Sequence, residues 1–225
     1  MGASQDHPFV MFGLEHFSAV LTILALTVLL PVIIRRSNSA AAGQKAALIL
    51  GVVLLLIKAT EPIIRVDFWS ELNEMLPLHL CDVGGILAGI MLLNRNYFFY
   101  ELTYFWGFGG TLQAILTPDL QRGFPHVDFL YYFTAHGLII VAAVYATVMF
   151  KYRPVPRSIL RALMATVIYA VLMIPVNWFL NTNYLYLCHK PTNPSLMDYL
   201  GPWPWYIFTT LPVALFFYTI CYTPF

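Results

Sequence analysis

HFSAVLTILALTVLLPVIIRR, residues 16–36, decides the fold. No charged residue stands between His16 and Arg35, and a helix of roughly 20 apolar residues is what a hydrocarbon core of about 30 Å requires. Six more such runs follow, so membrane spans are predicted near 13–34, 45–64, 76–93, 97–117, 127–150, 158–180 and 203–222. Composition agrees: 60 % of residues are hydrophobic, 10 % are charged, and the mean hydropathy is +0.72. A soluble domain of 225 residues would not normally carry so little charge. The expectation is an all-α polytopic protein, a seven-transmembrane-helix bundle forming one domain over 1–225.

The formal charge of +1 and the absence of a basic stripe exclude nucleic acid as a partner. No basic n-region or small-residue cleavage site marks a signal peptide near Met1 to Gly13. Three scattered cysteines, Cys81, Cys188 and Cys221, do not make a disulfide framework or a structural zinc site. Lys and Arg gather in the breaks after spans one, three and five: Arg35, Arg36, Lys45, Arg95, Lys151, Arg153, Arg157 and Arg161. Short loops retain such charge on the cytoplasmic side, which predicts the N-terminus outside and the C-terminus inside. No basic anchor follows the last span, the pattern expected of a chain cut short.

Ionisable groups inside spans are costly and point to protein-lined sites. Glu15 and His16 open span one; Lys58, Glu61 and Arg65 close span two; His79, Cys81 and Asp82 open span three. Gln113, Thr117 and Asp119 end span four, His126 and the deeper His136 belong to span five, and Asn177, Asn181 and Asn183 end span six. All face one leaflet, and the inner halves of these helices read as almost purely apolar. A helix-end residue reaching for the headgroups explains any one of them, and Lys58 with Glu61, three apart, makes a simple ion pair. Six helices together predict a cavity open to the outside, with Glu15, Lys58, Glu61, Gln113, Asn177, Asn181 and Trp203 as substrate contacts.

Pro77 suits a first helical turn, which sets His79 and Cys81 near the start of span three. The positive end of the helix dipole favours a thiolate there, so Cys81 is the candidate nucleophile. The alternative is a small buried residue that only packs, since Cys81, Gly85 and Gly89 form one stripe. His79 is two residues away and points elsewhere, whereas Asp82 can reach His79. A base for Cys81 must come from another helix: His136 first, His16 second. Helix-terminal N–H groups or Asn177 are candidates for the oxyanion. No motif implies a nucleotide, redox or other cofactor, and no spacing among His79, Asp82, His136 and Glu61 requires a metal. The long break from Asn181 to Gly201 holds Cys188 and His189 as loop residues and reads as a lid, and Trp203 and Trp205 read as an interfacial belt or a lipid entrance. Gly107, Gly109 and Gly110 are expected at close helix contacts.

LPLHLCDVGG (76–85), GFGGTLQAILTPDL (107–120), FPHVDFLYYFTAHG (124–137), NWFLNTNYLYL (177–187) and LGPWPWY (200–206) resemble the bacterial YwaF-like integral membrane proteins over nearly the whole chain. The resemblance implies seven helices and a multi-pass protein of the bacterial inner membrane. Distant eukaryotic relatives of that family are described as acyltransferases that remodel ether phospholipids through an essential cysteine, and Cys81 is the residue that fits. The implied activity is a lipid acyltransferase, or a thioesterase-like hydrolase, acting on a membrane phospholipid or lysophospholipid. A transporter or receptor for a small polar solute is the alternative from another class, and the sequence leaves the oligomeric state open.

Overall fold

The computed structural model describes residues 7–64 and 76–225, with the side chains of 62–64 left aside. Helix α1 (Leu14–Arg36) is followed by α2 (Ala40–Ile64), whose first turn is capped by the Ser39 hydroxyl accepting from Ala42 N–H at 3.2 Å. Helix α3 (Leu80–Asn94) ends at Arg95 in the left-handed region. Asn96 then caps α4 (Tyr97–Trp106), its side chain accepting from Phe99 N–H. The chain stays helical through a π turn (Gly107–Thr111) into α5 (Leu112–Leu116). His126 caps α6 (Val127–Met149), Pro156 sits in the first turn of α7 (Pro156–Leu180), and α8 (Trp205–Tyr222) closes the chain.

Helices occupy each of the seven predicted segments, with two physical differences. Helix α3 starts at Leu80, so Pro77 lies before it and Cys81 falls in the first turn. Span four is interrupted by the π turn, an extra residue in the helical ladder where GFGGT offers little side-chain resistance. Five helices, α1, α2, α6, α7 and α8, are long and apolar enough to cross a membrane, while α3 is a shorter apolar helix.

The helical rods alternate in direction, as their end contacts show. Lys58 near the end of α2 meets Asp82 at the start of α3, and Tyr145 near the end of α6 donates to the Gly43 carbonyl at the start of α2. The centre is α6: 56 % of its apolar stretch is buried, against 11–17 % in the other four long helices. Helices α2 and α3 meet along glycine, where a Cβ on Gly89 would come within 2.8 Å of Leu55 and 3.1 Å of the Gly51 carbonyl. The expected close contact of the GFGG stretch is made by Gly109, whose Cβ would lie 2.6 Å from Tyr218 of α8; Gly110 faces open space.

At the far end from Cys81, where almost purely apolar half-helices are expected, Glu101 stands as an exception, fully buried one turn into α4. It accepts from Ser158 and pairs with Arg161 at 2.7 Å, both on α7. The sequence signal was a lone carboxylate inside an apolar run.

Candidate functional site

The site forms where α2 ends and α3, α6 and α8 begin. The Leu78 carbonyl is fixed by the Tyr169 hydroxyl at 2.7 Å. His79 is the N-cap in an extended conformation, and its N–H donates to Asp82 Oδ2 at 3.2 Å. The N–H groups of Asp82 and Val83 both reach the His79 carbonyl. Those of Leu80 and Cys81 have no acceptor among the described residues. The first turn of α3 therefore presents, beside the Cys81 thiol, two adjacent N–H groups without an acceptor among the described residues.

Cys81 is partly buried, and its Sγ accepts from the Thr111 hydroxyl at 3.7 Å. Thr111 is the last residue of the π turn, so the GFGGT irregularity is what brings a hydroxyl to the sulfur. Beside it, Lys58 is 4 % exposed and donates to Asp82 Oδ1 at 2.6 Å and Glu61 Oε2 at 2.9 Å. The i, i+3 pair expected within α2 is present, and Asp82 adds a bond from α3. Asp82 thus orients the His79 backbone and the Lys58 ammonium. Its bond to His79 is made at the backbone N–H, where the spacing pointed to the ring.

The His79 ring lies 5.2 Å from the Tyr184 ring and 5.5 Å from Tyr186. Tyr186 reaches Asp119 at 3.5 Å through its hydroxyl, and its carbonyl accepts from Tyr206 at the start of α8. Burial, and then the neighbouring Asp119 charge, push the Tyr186 phenol above its ordinary range, so it remains a donor at neutral pH. Leu185 and Tyr186 both have positive φ, 60° and 54°. Two successive non-glycine residues in the left-handed region are strained, and the local network holds them there.

His136 Nδ1 lies 2.7 Å from the Tyr132 carbonyl, and its ring stacks on the Tyr132 ring at 4.3 Å. A carbonyl only accepts, so Nδ1 carries the proton and a neutral ring keeps a lone pair on Nε2. His136 also lies within electrostatic reach of Lys58, Asp82 and Glu61. His16 differs. Its Nε2 donates to the Ile115 carbonyl at 2.8 Å while its Nδ1 accepts from Phe12 N–H at 3.0 Å. With both nitrogens committed and Phe9, Phe12, Phe17 and Phe133 around it, His16 ties α1 to the end of α5 and has no site free for proton transfer.

The remaining candidates divide. Asn177 Oδ1 accepts from Tyr184 N–H and the Thr182 hydroxyl while its amide donates to the Tyr184 carbonyl. It builds the loop after α7 and is removed from the oxyanion role. Asn181 is the exposed left-handed cap of α7. Asn183 gathers Cys188 and His189, whose backbone N–H groups donate to its Oδ1. Glu15 Oε2 accepts from Phe124 N–H, tying α1 to the loop before α6. Trp203 is 62 % exposed with its indole N–H on the Leu187 carbonyl. The Gln113 side-chain amide makes no hydrogen bond among the described residues. Arg65 lies outside the described residues. Among those described, no three His, Cys, Asp or Glu side chains come together as a metal-ion set. Thr111, Tyr132 and Tyr186 were not singled out in the sequence. The irregular helix brings Thr111 to the α3 start and the folded loop brings Tyr186, while Tyr132 comes from α6.

With this geometry in view, the relatives can be placed. The TMEM164 family model matches residues 11–222. The chain belongs to the TMEM164 family. An uncharacterized protein of Treponema pallidum (strain Nichols) is 32 % identical over 190 residues, covering 81 % of this chain and 76 % of the relative. No solved structure matches. Family membership and the apolar helices together make this a multi-pass membrane protein. The family match spans both the α3 start and the loop of Tyr184 and Tyr186 that covers it.

Proposed function

We propose that the chain is an intramembrane lipid acyltransferase in which Cys81 carries the acyl group. The observation behind this reading is the α3 start, where a thiol sits beside two backbone N–H donors that have no acceptor among the described residues. The Cys81 thiolate would attack the carbonyl carbon of a phospholipid acyl ester. The S–C bond forms, and the oxyanion is met by the Leu80 and Cys81 N–H groups. His136 takes the thiol proton on Nε2 and returns it to the departing alkoxide as the ester C–O bond breaks, leaving a thioester and a lysolipid. A hydroxyl of a second lysolipid then attacks the thioester, and its proton returns to the thiol through His136. Water in place of the lysolipid would make the same site a hydrolase.

Seven crossings with the N-terminus outside fit this reading. The α4–π–α5 rod is 20 residues from Tyr97 to Leu116, or about 30 Å of helix. The short α3 would begin below the membrane surface with Cys81 at acyl-ester depth. The resemblance to YwaF-like proteins, and through them to ether-phospholipid acyltransferases, supports the reaction class and a place in the bacterial inner membrane.

A second reading has its own observation. The buried Lys58, Asp82 and Glu61 group is the kind that binds polar solutes or relays protons in transporters. One experiment separates the two: intact-mass spectrometry of the purified protein, wild type and Cys81→Ser, after incubation with mixed phospholipids and lysolipids. An acyl adduct on Cys81, with acyl exchange lost in the variant, is expected. No adduct and no exchange across lipids and pH would transfer the assignment to solute binding.

A further inference from the structure

The end of the bundle away from Cys81 carries a second polar feature that the acyl chemistry does not use. A groove of about 390 Å³ is lined by Ser39, Gly43, Gln44, Arg95, Tyr145 and Phe150. Sharing Met149 with it is a second groove of about 300 Å³, lined by Arg35, Lys151 and Arg153. None of these four cations forms an ion pair among the described residues. Glu101, the one described side-chain carboxylate at this end, is taken by Arg161 and Ser158.

Unpaired cations on flexible side chains would be ordinary at a membrane surface. Two of these are held. Arg95 has its carbonyl fixed by the Tyr152 hydroxyl at 2.5 Å and its guanidinium over the Phe150 ring at 5.0 Å. Arg153 donates to the Thr147 and Tyr152 carbonyls at 2.6 and 2.9 Å and lies over the Phe225 ring at 5.5 Å. Carbonyls and aromatic faces position a guanidinium without neutralising it. Arg95 and Lys151 also adopt φ of 57° and 58°, left-handed backbone at which a helix more commonly places glycine. The combination is a concave site with fixed, uncompensated positive charge, which suits a phosphate.

We propose that these joined grooves bind the phosphate of an anionic phospholipid from the adjoining leaflet. The site stands on residues separate from Cys81 and requires no acyl transfer. The apolar Val148 and Met149 at the second groove give the lipid body a surface that free phosphate would not use.

The test uses the full chain in detergent in a Cys81→Ser background, so that acylation does not enter. Native mass spectrometry would follow titration with phosphatidylglycerol, with phosphatidylcholine of the same chains, and with inorganic phosphate. Phosphatidylglycerol should bind more tightly than phosphatidylcholine, and Arg95→Gln/Arg153→Gln should reduce its binding about tenfold or more. Arg157→Gln, at the same end but outside the grooves, should keep it. Should the double variant fail to fold, the exposed Arg35→Gln gives the same reading with a smaller loss. Equal binding of the two lipids, or a preference that survives these substitutions, overturns the proposal. Competition by inorganic phosphate at the lipid's own concentration would reassign the grooves to a soluble anion and overturn the lipid assignment.

Discussion

The two ends of the bundle hold charge in opposite ways. Where α3 begins, carboxylates outnumber cations among the described residues, and the deeply buried Lys58 is enclosed by Asp82 and Glu61. Where α3 ends, cations outnumber carboxylates, and Arg95 and Arg153 are held by rings and carbonyls with their charge unanswered. The first arrangement is closed and depends on its partners for stability. The second is open, with no carboxylate among the described residues paired to Arg95 or Arg153. Charge at a membrane protein's ends is therefore a poor guide to stability until its partners are known.

Removing one partner at the closed end should have the largest effect. Asp82→Ala leaves the Lys58 ammonium buried with Glu61 alone, and breaking such a pair costs about 3 kcal/mol, the lower part of the usual range because one carboxylate remains. Thermal unfolding in detergent should show it, and Lys58→Met in the Asp82→Ala background should recover most of the loss. A single variant as stable as wild type would mean that Glu61 satisfies Lys58 by itself and that the end is less closed than its geometry implies.

Asn177→Ala should come next, at about 2 kcal/mol, because the Tyr184 N–H and carbonyl and the Thr182 hydroxyl all lose a buried partner. The effect should be local. Limited proteolysis between Thr182 and Leu200 is expected to accelerate well before the helices unfold. Uniform loss of protection would show that this loop is part of the global core and no separate cover over His79.

The helices were legible in the sequence because hydrocarbon imposes a single rule on long stretches of chain. All seven segments recur within a few residues, apart from the α2 start at Ala40 and the α3 start at Leu80. Site neighbours were less legible, for particular reasons. Lys58–Glu61 is a local i, i+3 relation, whereas Lys58–Asp82 depends on how tightly Gly85 and Gly89 let α2 and α3 approach. Thr111 reaches Cys81 only because the helix passes through a π turn, and no periodic reading locates such a turn. His16 and Asn177 looked functional as polar residues at span ends, yet each satisfies backbone groups that a neighbouring segment exposes. Polar side chains at helix ends serve backbone more often than substrate, and only their partners tell the two apart.

Glu101→Gln at the open end should have the smallest effect, and it tests the comparison most directly. Glu101 is as buried as Lys58, so burial alone predicts a loss like that of Asp82→Ala. Its partners predict otherwise. Arg161 is 45 % exposed on its side chain, so solvent screens the pair and would rehydrate the guanidinium once the carboxylate is gone. Glu101 Oε2 already lacks a hydrogen-bond partner, while Oε1 accepts from Ser158. A glutamine keeps its carbonyl on Ser158 and places its amide where an unpartnered oxygen stood, exchanging one unsatisfied group for another. The expected change is within about 1 kcal/mol of wild type. A loss equal to that of Asp82→Ala would place a buried pair of the same kind at both ends, and the contrast between a closed end and an open one would no longer hold.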